Sequence, residues 1–355
     1  MSRQGLTAHL PQEDSSAHRL TEPDFPRPLH LVSDLGILAE DSKAAKPVQP
    51  ALVPTVFHED WWLEAATGGQ YSVAEVRAGD KTVGRLPYLL RSRFGMKGVW
   101  TPPVTYFLGP GLDEGEGSPN NRFLKRMEIT RELIAKLPKS SWECIRCHAG
   151  IKDMIAFQEQ RFRTYVQFTH EIAPAPMELL WQQMRNKTRN VIRRAKEQIV
   201  MEEILDPEEF IHAHKKNLAA EGENDSLDMN ACRRLLIAAL ERKRGRIIAA
   251  RNAKGEIVAA NFCAWDHATA FYVLSTRSRD AGNGATSMLI WEAIQHAVSR
   301  GLTFDFAGLG TKGSVLLYSG FGATVSPRFV AIRASGLARL VADVRALLTH
   351  EFYFF

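Results

Sequence analysis

The chain has 355 residues, of which 45% are apolar and 24% charged, so it is ordinary globular material and long enough for two domains of about 150 residues. Its net charge of +5 favours anionic ligands but is too small to indicate nucleic-acid binding unaided. The sequence shows no apolar run near the ~20 residues of a membrane span, no secretory-signal pattern and too few cysteines for a disulfide framework. These features together predict a cytoplasmic protein.

Residues 1–50 are predicted to be a disordered tail, because they are rich in proline and show no sustained hydrophobic period. Order is predicted to begin near residue 54, with a short amphipathic helix that contains Trp61 and Trp62. The next elements are a hairpin, a strand with a loop, a helix and a strand, at residues 71–77 with 82–90, 101–111, 121–137 and 142–147.

The second half of the chain repeats this order of elements. A hairpin, a strand, a glycine-containing segment, a helix and a strand are predicted within residues 245–307. A repeat of ~110 to 150 residues is longer than a solenoid period, so it predicts two copies of one domain. We place the copies at residues 51–173 and 174–335.

A cationic helix is predicted between the copies, at residues 177–201. Arg185, Arg189 and Arg193 are spaced i, i+4 and i+8, and Lys187 lies among them. One interpretation is a solvated face. The other is an electrostatic clamp for a phosphate-bearing substrate, in which Lys187, Arg189 and Arg193 are the contact residues.

The segment RDAGNG at residues 279–284 follows a strand at 270–275 and precedes a helix capped by Thr286 or Ser287. A loop that enters a helix N-terminus presents unpaired backbone N–H groups, and glycines let an anion approach them. A pyrophosphate would fit such a loop. Arg279 either binds phosphate or is an ordinary surface charge. The predicted cofactor contacts are Leu274, Ser275, Arg279, Gly282, Asn283, Gly284 and Ala285.

Three further segments carry a family resemblance: MRNKTRNVIRRAKE at 184–197, FDFAG at 304–308 and GFGA at 320–323. With the Arg-x-x-Gly-x-Gly spacing, they resemble the FemAB-like and CelD-like branch of the GNAT acyltransferase superfamily. The resemblance spans about residues 54–332. It implies an α/β fold of two tandem GNAT-like domains, each a mixed, mostly antiparallel sheet flanked by helices.

The resemblance also implies an activity, the transfer of an acyl group to an amine or hydroxyl. The donor is acetyl-coenzyme A or another acyl-coenzyme A, or else an aminoacyl-tRNA, and the acceptor is a small molecule, a glycan or a peptide. Many members of the branch have a Lys where this chain has Tyr318, which weakens the likeness to the tRNA-dependent ligases. Many also lack a glycine loop, and its presence here favours coenzyme A. The alternatives are a tRNA-dependent ligase, which alone would need nucleic acid as a partner, and a non-catalytic accessory protein of polysaccharide biosynthesis.

Two residues are candidates for proton transfer. In GNAT enzymes a Tyr shortly after the fifth strand often protonates the departing thiolate, and Tyr318 lies at about that place; the other interpretation is a Tyr packed on the core. Asp305 lies between Phe304 and Phe306, so its pKa could suit a general base if it faces a cleft. The other interpretation is a structural hydrogen bond.

Neither a metal nor haem is predicted. The CIRCH segment at 144–148 matches the haem-attachment pattern, but that chemistry needs an exported chain, and one CxxC pair is too little for zinc. In the first copy, Asp113, Glu114 and Glu116 would repel an anion, so only the second copy is predicted to bind the cofactor.

Residues 336–355 carry an apolar stripe and predict an amphipathic helix packed on the second domain. Peripheral contact with a membrane or docking of a partner is the alternative. The sequence does not indicate an oligomeric state.

Overall fold

The computed structural model describes residues 50–93, 96–221, 227–309, 312–336 and 338–340. Nearly all of the predicted N-terminal tail and most of the predicted C-terminal helix lie outside these residues. Within the described part of the chain, no helix combines the length and the apolar character needed to cross a bilayer.

The first half of the described chain follows the predicted order. Its elements are α1 Asp60–Thr67, β1 Ser72–Ala78, β2 Lys81–Arg93, β3 Met96–Trp100, β4 Gly111–Leu112, α2 Pro119–Ala135, β5 Trp142–Arg146, α3 Ile155–Glu159 and β6 Arg163–Ile172. The prediction of a strand within residues 101–111 is wrong, because the observed strand, β3, ends at Trp100. Pro102 and Pro103 have no N–H group to donate to a ladder, and the chain after them is irregular as far as the single bridge at Leu108.

The helix predicted at residues 177–201 is in fact two helices. They are α4 Met177–Gln183 and α5 Asn186–Ala195, followed by β7 Val200–Ile204. Met184 and Arg185 separate them with extended backbone, at ψ angles of 148° and 138°. The two helices therefore do not share the continuous face that the spacing of the arginines suggested.

The second half repeats the first. Its elements are α6 Pro207–Glu221, α7 Met229–Glu241, β8 Gly245–Arg251, β9 Ile257–Trp265, β10 Thr269–Arg277, α8 Gly282–Ser299, β11 Thr303–Asp305, α9 Lys312–Ser319 and β12 Thr324–Ala334. Gly301 ends α8, with φ +72°. Its N–H donates to Val298 O at 2.9 Å, and that of Leu302 donates to Ala297 O at 3.0 Å, which is a Schellman motif.

The strands form one mixed sheet in the order β1-β2-β3-β5-β12-β6-β11-β10-β9-β8-β7, with β4 paired to β2. Strands of the two halves correspond: β1, β2 and β3 to β8, β9 and β10, β5 to β11, and β6 to β12. If each strand is replaced by its counterpart, the order from β1 to β8 becomes the same order read from the opposite edge of the sheet. The two parallel pairs, β3–β5 and β10–β11, also correspond. The predicted mixed α/β fold class with two repeats is confirmed, but the repeats share one large mixed sheet instead of having one sheet each.

The repeats exchange their last strands. The first half's β6 lies between β11 and β12 of the second half, and β12 lies between β5 and β6 of the first. Helices cover the second half of the sheet on both faces. On one face α1, α6 and α7 pack against Phe262 and Phe271; on the other, α4 and α8 pack against Tyr272 and Phe304.

Candidate functional site

The parallel strands β10 and β11 stay paired over only three residues each. The pairing ends at Phe271 with Asp305, where β11 stops while β10 continues to Arg277. No described strand pairs with this side of β10 beyond Phe271. A cavity of about 730 Å³ opens beside this part of β10 and is lined by α5, α6, α8 and α9 as well.

The wall of the cavity is cationic. Arg185, Lys187 and Arg277 line it, and the described lining residues include no Asp or Glu. Thr286 also lines it, and its buried Oγ1 has no hydrogen-bond partner among the described residues. Such a wall can hold an anion through charge-assisted hydrogen bonds, and the volume falls within the range of ~300 to 1,000 Å³ that is usual for ligand sites.

Of the three cations predicted to bind substrate, the structure brings Lys187 to the cavity. Arg189 instead donates to Asn186 and to the carbonyl oxygens of Trp181 and Gln182, both at 3.4 Å. Arg193 donates to Asn190 Oδ1 at 3.0 Å, and its guanidinium lies 5.5 Å from the ring centroid of Trp181. Arg189 and Arg193 therefore turn toward α4, away from the cavity.

Arg185 and Arg277 also line the cavity, although neither was predicted as a contact residue from the sequence. The predicted face through Arg185 assumed one continuous helix, whereas extended backbone at Met184 and Arg185 places this side chain in the cavity wall. Arg277 is the last residue of β10, two residues beyond the end of the strand predicted at 270–275.

The predicted glycine loop is the beginning of a helix. A 3₁₀ turn spans Arg279–Ala281, and α8 begins directly at Gly282. The helical path starts early because Ala281 N–H bonds to Ser278 O at 3.2 Å, so the cap predicted at Thr286 or Ser287 is wrong. Gly282, Asn283, Gly284 and Ala285 consequently lie in the first turn of α8.

Gly284 has a packing reason to be a glycine. A Cβ at this position would lie 3.0 Å from Ala195 Cβ of α5, so its absence lets α8 approach α5 closely. Ala285 is fully buried, and neither residue lines the cavity. Arg279 is exposed and outside the lining as well.

The predicted contacts on β10 lie on different sides of the strand. Ser275 lines the cavity, whereas Leu274 is buried in the core beneath α1, α6 and α7. The pairing of β9 with β10 shifts register between Tyr272 and Leu274, and the Tyr106 hydroxyl donates to Val273 O at 2.7 Å. A residue of the first half therefore braces the strand that forms the cavity.

Tyr318 lies on α9, in the wall of the cavity. Its ring stacks on Phe306 with centroids 4.2 Å apart and meets Tyr272 edge-on at 6.2 Å. Burial disfavours the phenolate and raises the pKa of Tyr318 to about 12. The phenol is therefore protonated at neutral pH, and it packs on the core while lining the cavity.

Asp305, the predicted general base, does not line the cavity. Its side chain is 1% exposed and accepts hydrogen bonds from Thr169 Oγ1 at 2.6 Å, Ala307 N at 2.7 Å and Arg328 Nη2 at 2.7 Å. Burial raises the pKa of Asp305, while the Arg328 cation opposes that rise. Its bonds hold strands β6, β11 and β12 together, as the structural interpretation anticipated.

The corresponding place in the first half is closed. There β3 ends at Trp100, and the chain returns so that Leu108 N–H bonds to Arg146 O at 2.7 Å and His148 N–H bonds to Leu108 O at 3.0 Å. The cavity found there, which Val99 and Ile145 help to line, has a volume of only about 10 Å³. This geometry favours the second half as the ligand-binding half.

The helix that follows in the first half is also unlike α8. Ser118 caps α2 by accepting a hydrogen bond from Asn121 N at 3.3 Å, whereas Ala281 before α8 has no side-chain acceptor. Asp113 and Glu114, predicted to repel an anion, form ion pairs with Lys81 at 2.7 Å and Arg126 at 2.9 Å.

The described residues contain no group of three His, Cys, Asp or Glu side chains that could hold a metal ion. Cys144 and Cys147 are buried free thiols, and burial raises the pKa of both.

The sequence and the fold were both compared with those of known proteins. Residues 182–313 match the family model of an acetyltransferase (GNAT) domain. No curated protein sequence gives a significant match. The fold is similar to that of FemX, with a TM-score of 0.60 and 12% identity over 80% of this chain and 93% of that chain.

A second similar structure is the C-terminal domain of a protein described as a lysylphosphatidylglycerol synthetase, from Agrobacterium fabrum. Its TM-score is 0.54 at 14% identity, over 84% of this chain and 95% of that chain. At these identities the structural likeness concerns the fold alone. The family match, in contrast, covers α5, α6, β10 and α8, which line the cavity, and it ends at residue 313, near the beginning of α9. Residues 182–313 are therefore similar to a GNAT acetyltransferase domain, and the chain has a FemX-like fold.

Proposed function

We propose that the protein transfers an acyl group, acetyl in the simplest case, from acyl-coenzyme A to an amine or hydroxyl of a small-molecule, glycan or peptide acceptor. The observation that carries this proposal is the cationic cavity beside the part of β10 that β11 leaves unpaired. With such a donor, we propose a cytoplasmic reaction that requires no nucleic acid.

The residues present fit such a donor. Its phosphates match Arg185, Lys187 and Arg277, and the Thr286 hydroxyl supplies a further hydrogen-bonding group. The donor's amide-bearing arm matches the open side of β10, because backbone groups at the edge of a sheet bind extended chains by strand addition. The bound donor would supply the acyl thioester.

Tyr318 has the properties of the acid in this reaction. The acceptor attacks the acyl carbon, and the sulfur that leaves needs a proton. Tyr318 lines the cavity and is protonated at neutral pH, because burial raises its pKa to about 12. The remaining lining residues position the donor and exclude water rather than react.

An aminoacyl-tRNA donor is the second candidate. It is favoured by the FemX-like fold and by the exposed arginines of α5 outside the cavity, which add positive charge. Tyr318, at the position where many tRNA-dependent ligases of this branch have Lys, argues against it. Calorimetric titrations with acetyl-coenzyme A and with uncharged tRNA separate the two. Binding of tRNA without binding of acetyl-coenzyme A would contradict our proposal.

Changing Tyr318→Phe tests the chemical step. The variant keeps the stack on Phe306 and loses the proton, so we expect kcat to fall by roughly 100-fold while the Kd for acetyl-coenzyme A stays within twofold. The assay is thiol release from acetyl-coenzyme A with hydroxylamine as the acceptor. An unchanged kcat would contradict the role of Tyr318 as the acid and would mean that its ring only packs against Phe306.

A further inference from the structure

Tyr318 lies over a row of side chains from three neighbouring strands. Tyr272 comes from β10, Phe306 directly follows β11, and His170 comes from β6. The His170 ring lies edge-on to both Tyr318 and Phe306, with centroids 6.4 Å from each. Because the strand order is β10-β11-β6, His170 lies on the side of Tyr318 away from Tyr272.

His170 is 3% exposed, yet its Nδ1 has no hydrogen-bond partner among the described residues. Leaving such a group unbonded costs free energy, so native structures usually avoid it. Two other buried histidines of the first half do avoid it: His58 bonds to Thr55 and Gly109, and His148 bonds to Pro110 and Gly150. The contrast indicates that the His170 nitrogen serves a partner that binds during function.

The imidazole also lies next to open surface. Its cross-strand neighbour Val325 is 54% exposed, and Phe168, two residues away on the same face of β6, is 48% exposed. His170 therefore lies between Tyr318, which borders the donor cavity, and a part of the sheet that an acceptor can reach.

We propose that His170 accepts the proton of the attacking acceptor while Tyr318 protonates the departing sulfur; this inference rests on the proposed function. The acceptor nitrogen or oxygen bonds to the acyl carbon, and the carbon–sulfur bond breaks. His170 takes the proton from the acceptor, the Tyr318 hydroxyl gives its proton to sulfur, and the His170 proton then returns to the Tyr318 oxygen. The net result is one proton moved from acceptor to thiol.

The surroundings keep His170 in the form that accepts a proton. Burial lowers the pKa of His170 below its ordinary value of 6.5, so the ring is neutral at neutral pH. Tyr318 on α9, Phe306 after β11 and Val325 on β12 face it, and none of these carries a charge. The nearby carboxylates, Glu171 and Asp305, are both bonded to Arg328.

The test uses the full chain, acetyl-coenzyme A and hydroxylamine over a range of pH, with neutral hydroxylamine held at one saturating concentration and the rate without protein subtracted. Below the lowered pKa, wild-type kcat should fall as His170 becomes protonated. We expect His170→Gln to lower kcat by about 100-fold to 10,000-fold, to remove this acidic limb and to leave the acetyl-coenzyme A Kd unchanged. His296→Gln is the control, because His296 packs on Trp265 and does not line the cavity.

The outcomes separate this inference from the proposed function. Wild-type protein that fails to bind acetyl-coenzyme A contradicts the function. Wild-type turnover combined with an unchanged kcat and pH profile in His170→Gln overturns the role of His170 alone. If that variant melts at a lower temperature, imidazole nitrogen NMR on the wild type decides instead. A His170 signal that titrates below 6.5 and shifts with acetyl-coenzyme A supports the proposal, and one that does neither overturns it.

Discussion

Replacing Lys187 and Arg277 together with alanine is expected to weaken acetyl-coenzyme A binding by about a hundredfold or more. Both residues line the cavity, and a hydrogen bond to a charged group is worth roughly 1.5 to 3 kcal/mol, where 1.4 kcal/mol is tenfold in Kd. Isothermal titration calorimetry measures the change directly. The melting temperature should hardly move, because neither side chain belongs to a buried core cluster.

The chain offers a matched control for this loss of charge. Arg189→Ala with Arg193→Ala removes the same charge from the region, but both side chains turn toward α4. We expect a change of less than about threefold, since exposed charges are screened by salt. Arg279→Ala, at the predicted phosphate contact, should behave like the control because Arg279 does not line the cavity. Equal losses in all variants would mean that general charge, not contact, draws the ligand.

Replacing Arg328 with methionine is expected to destabilise the fold by about 3 to 5 kcal/mol. Arg328 is 4% exposed and bridges Asp305 on β11 and Glu171 on β6, so its loss leaves two carboxylates without their counter-ion. Arg126→Met is the control. It also removes two ion pairs, with Glu114 and Asp153, but these are partly exposed and worth about 1 kcal/mol or less each. Denaturant unfolding gives both values, and equal losses would contradict the importance of burial.

The pH dependence of Arg328→Met has a definite sign. Burial already raises the pKa of Asp305, and removing the cation that opposes this rise moves the pKa further up. The folded variant then binds more protons than its unfolded chain, so its stability increases as the pH falls. The gap between wild type and variant should shrink on acidification. A gap that widened at low pH would show that Asp305 is not the group left unpaired.

The repeat could be predicted from the sequence because its signals are local. The two hairpins, at residues 71–90 and 245–265, show themselves through strand-forming residues around short turns, and Gly301 marks the end of α8. Tyr318 and Ser275 were assigned to the site on position along the chain, and both line the cavity. Local pattern and order were sufficient for these features.

The errors arose where distant residues decide. Gly282 and Gly284 were assigned to a loop, whereas Gly284 serves the contact of α8 with Ala195, about 90 residues earlier. Asp305 lies in a buried network because β6 and β12 bring Thr169 and Arg328 to it. The helical spacing of the arginines could not reveal that the helix predicted at residues 177–201 is interrupted at Met184. Nothing in the local sequence of β6 indicates that it pairs with strands of the other half.

The exchange of β6 and β12 constrains when the protein can fold during its synthesis. A ribosome synthesises β5 long before β12, yet β12 pairs directly with β5, on the side opposite β3. Until residues 324–334 emerge, β5 is an open edge able to pair with other chains, and β6 lacks both of its neighbours until β11 and β12 follow. The first half therefore cannot complete its sheet during translation ahead of the second. A chain that terminates before Thr324 leaves β5 and β6 each with an unpaired side.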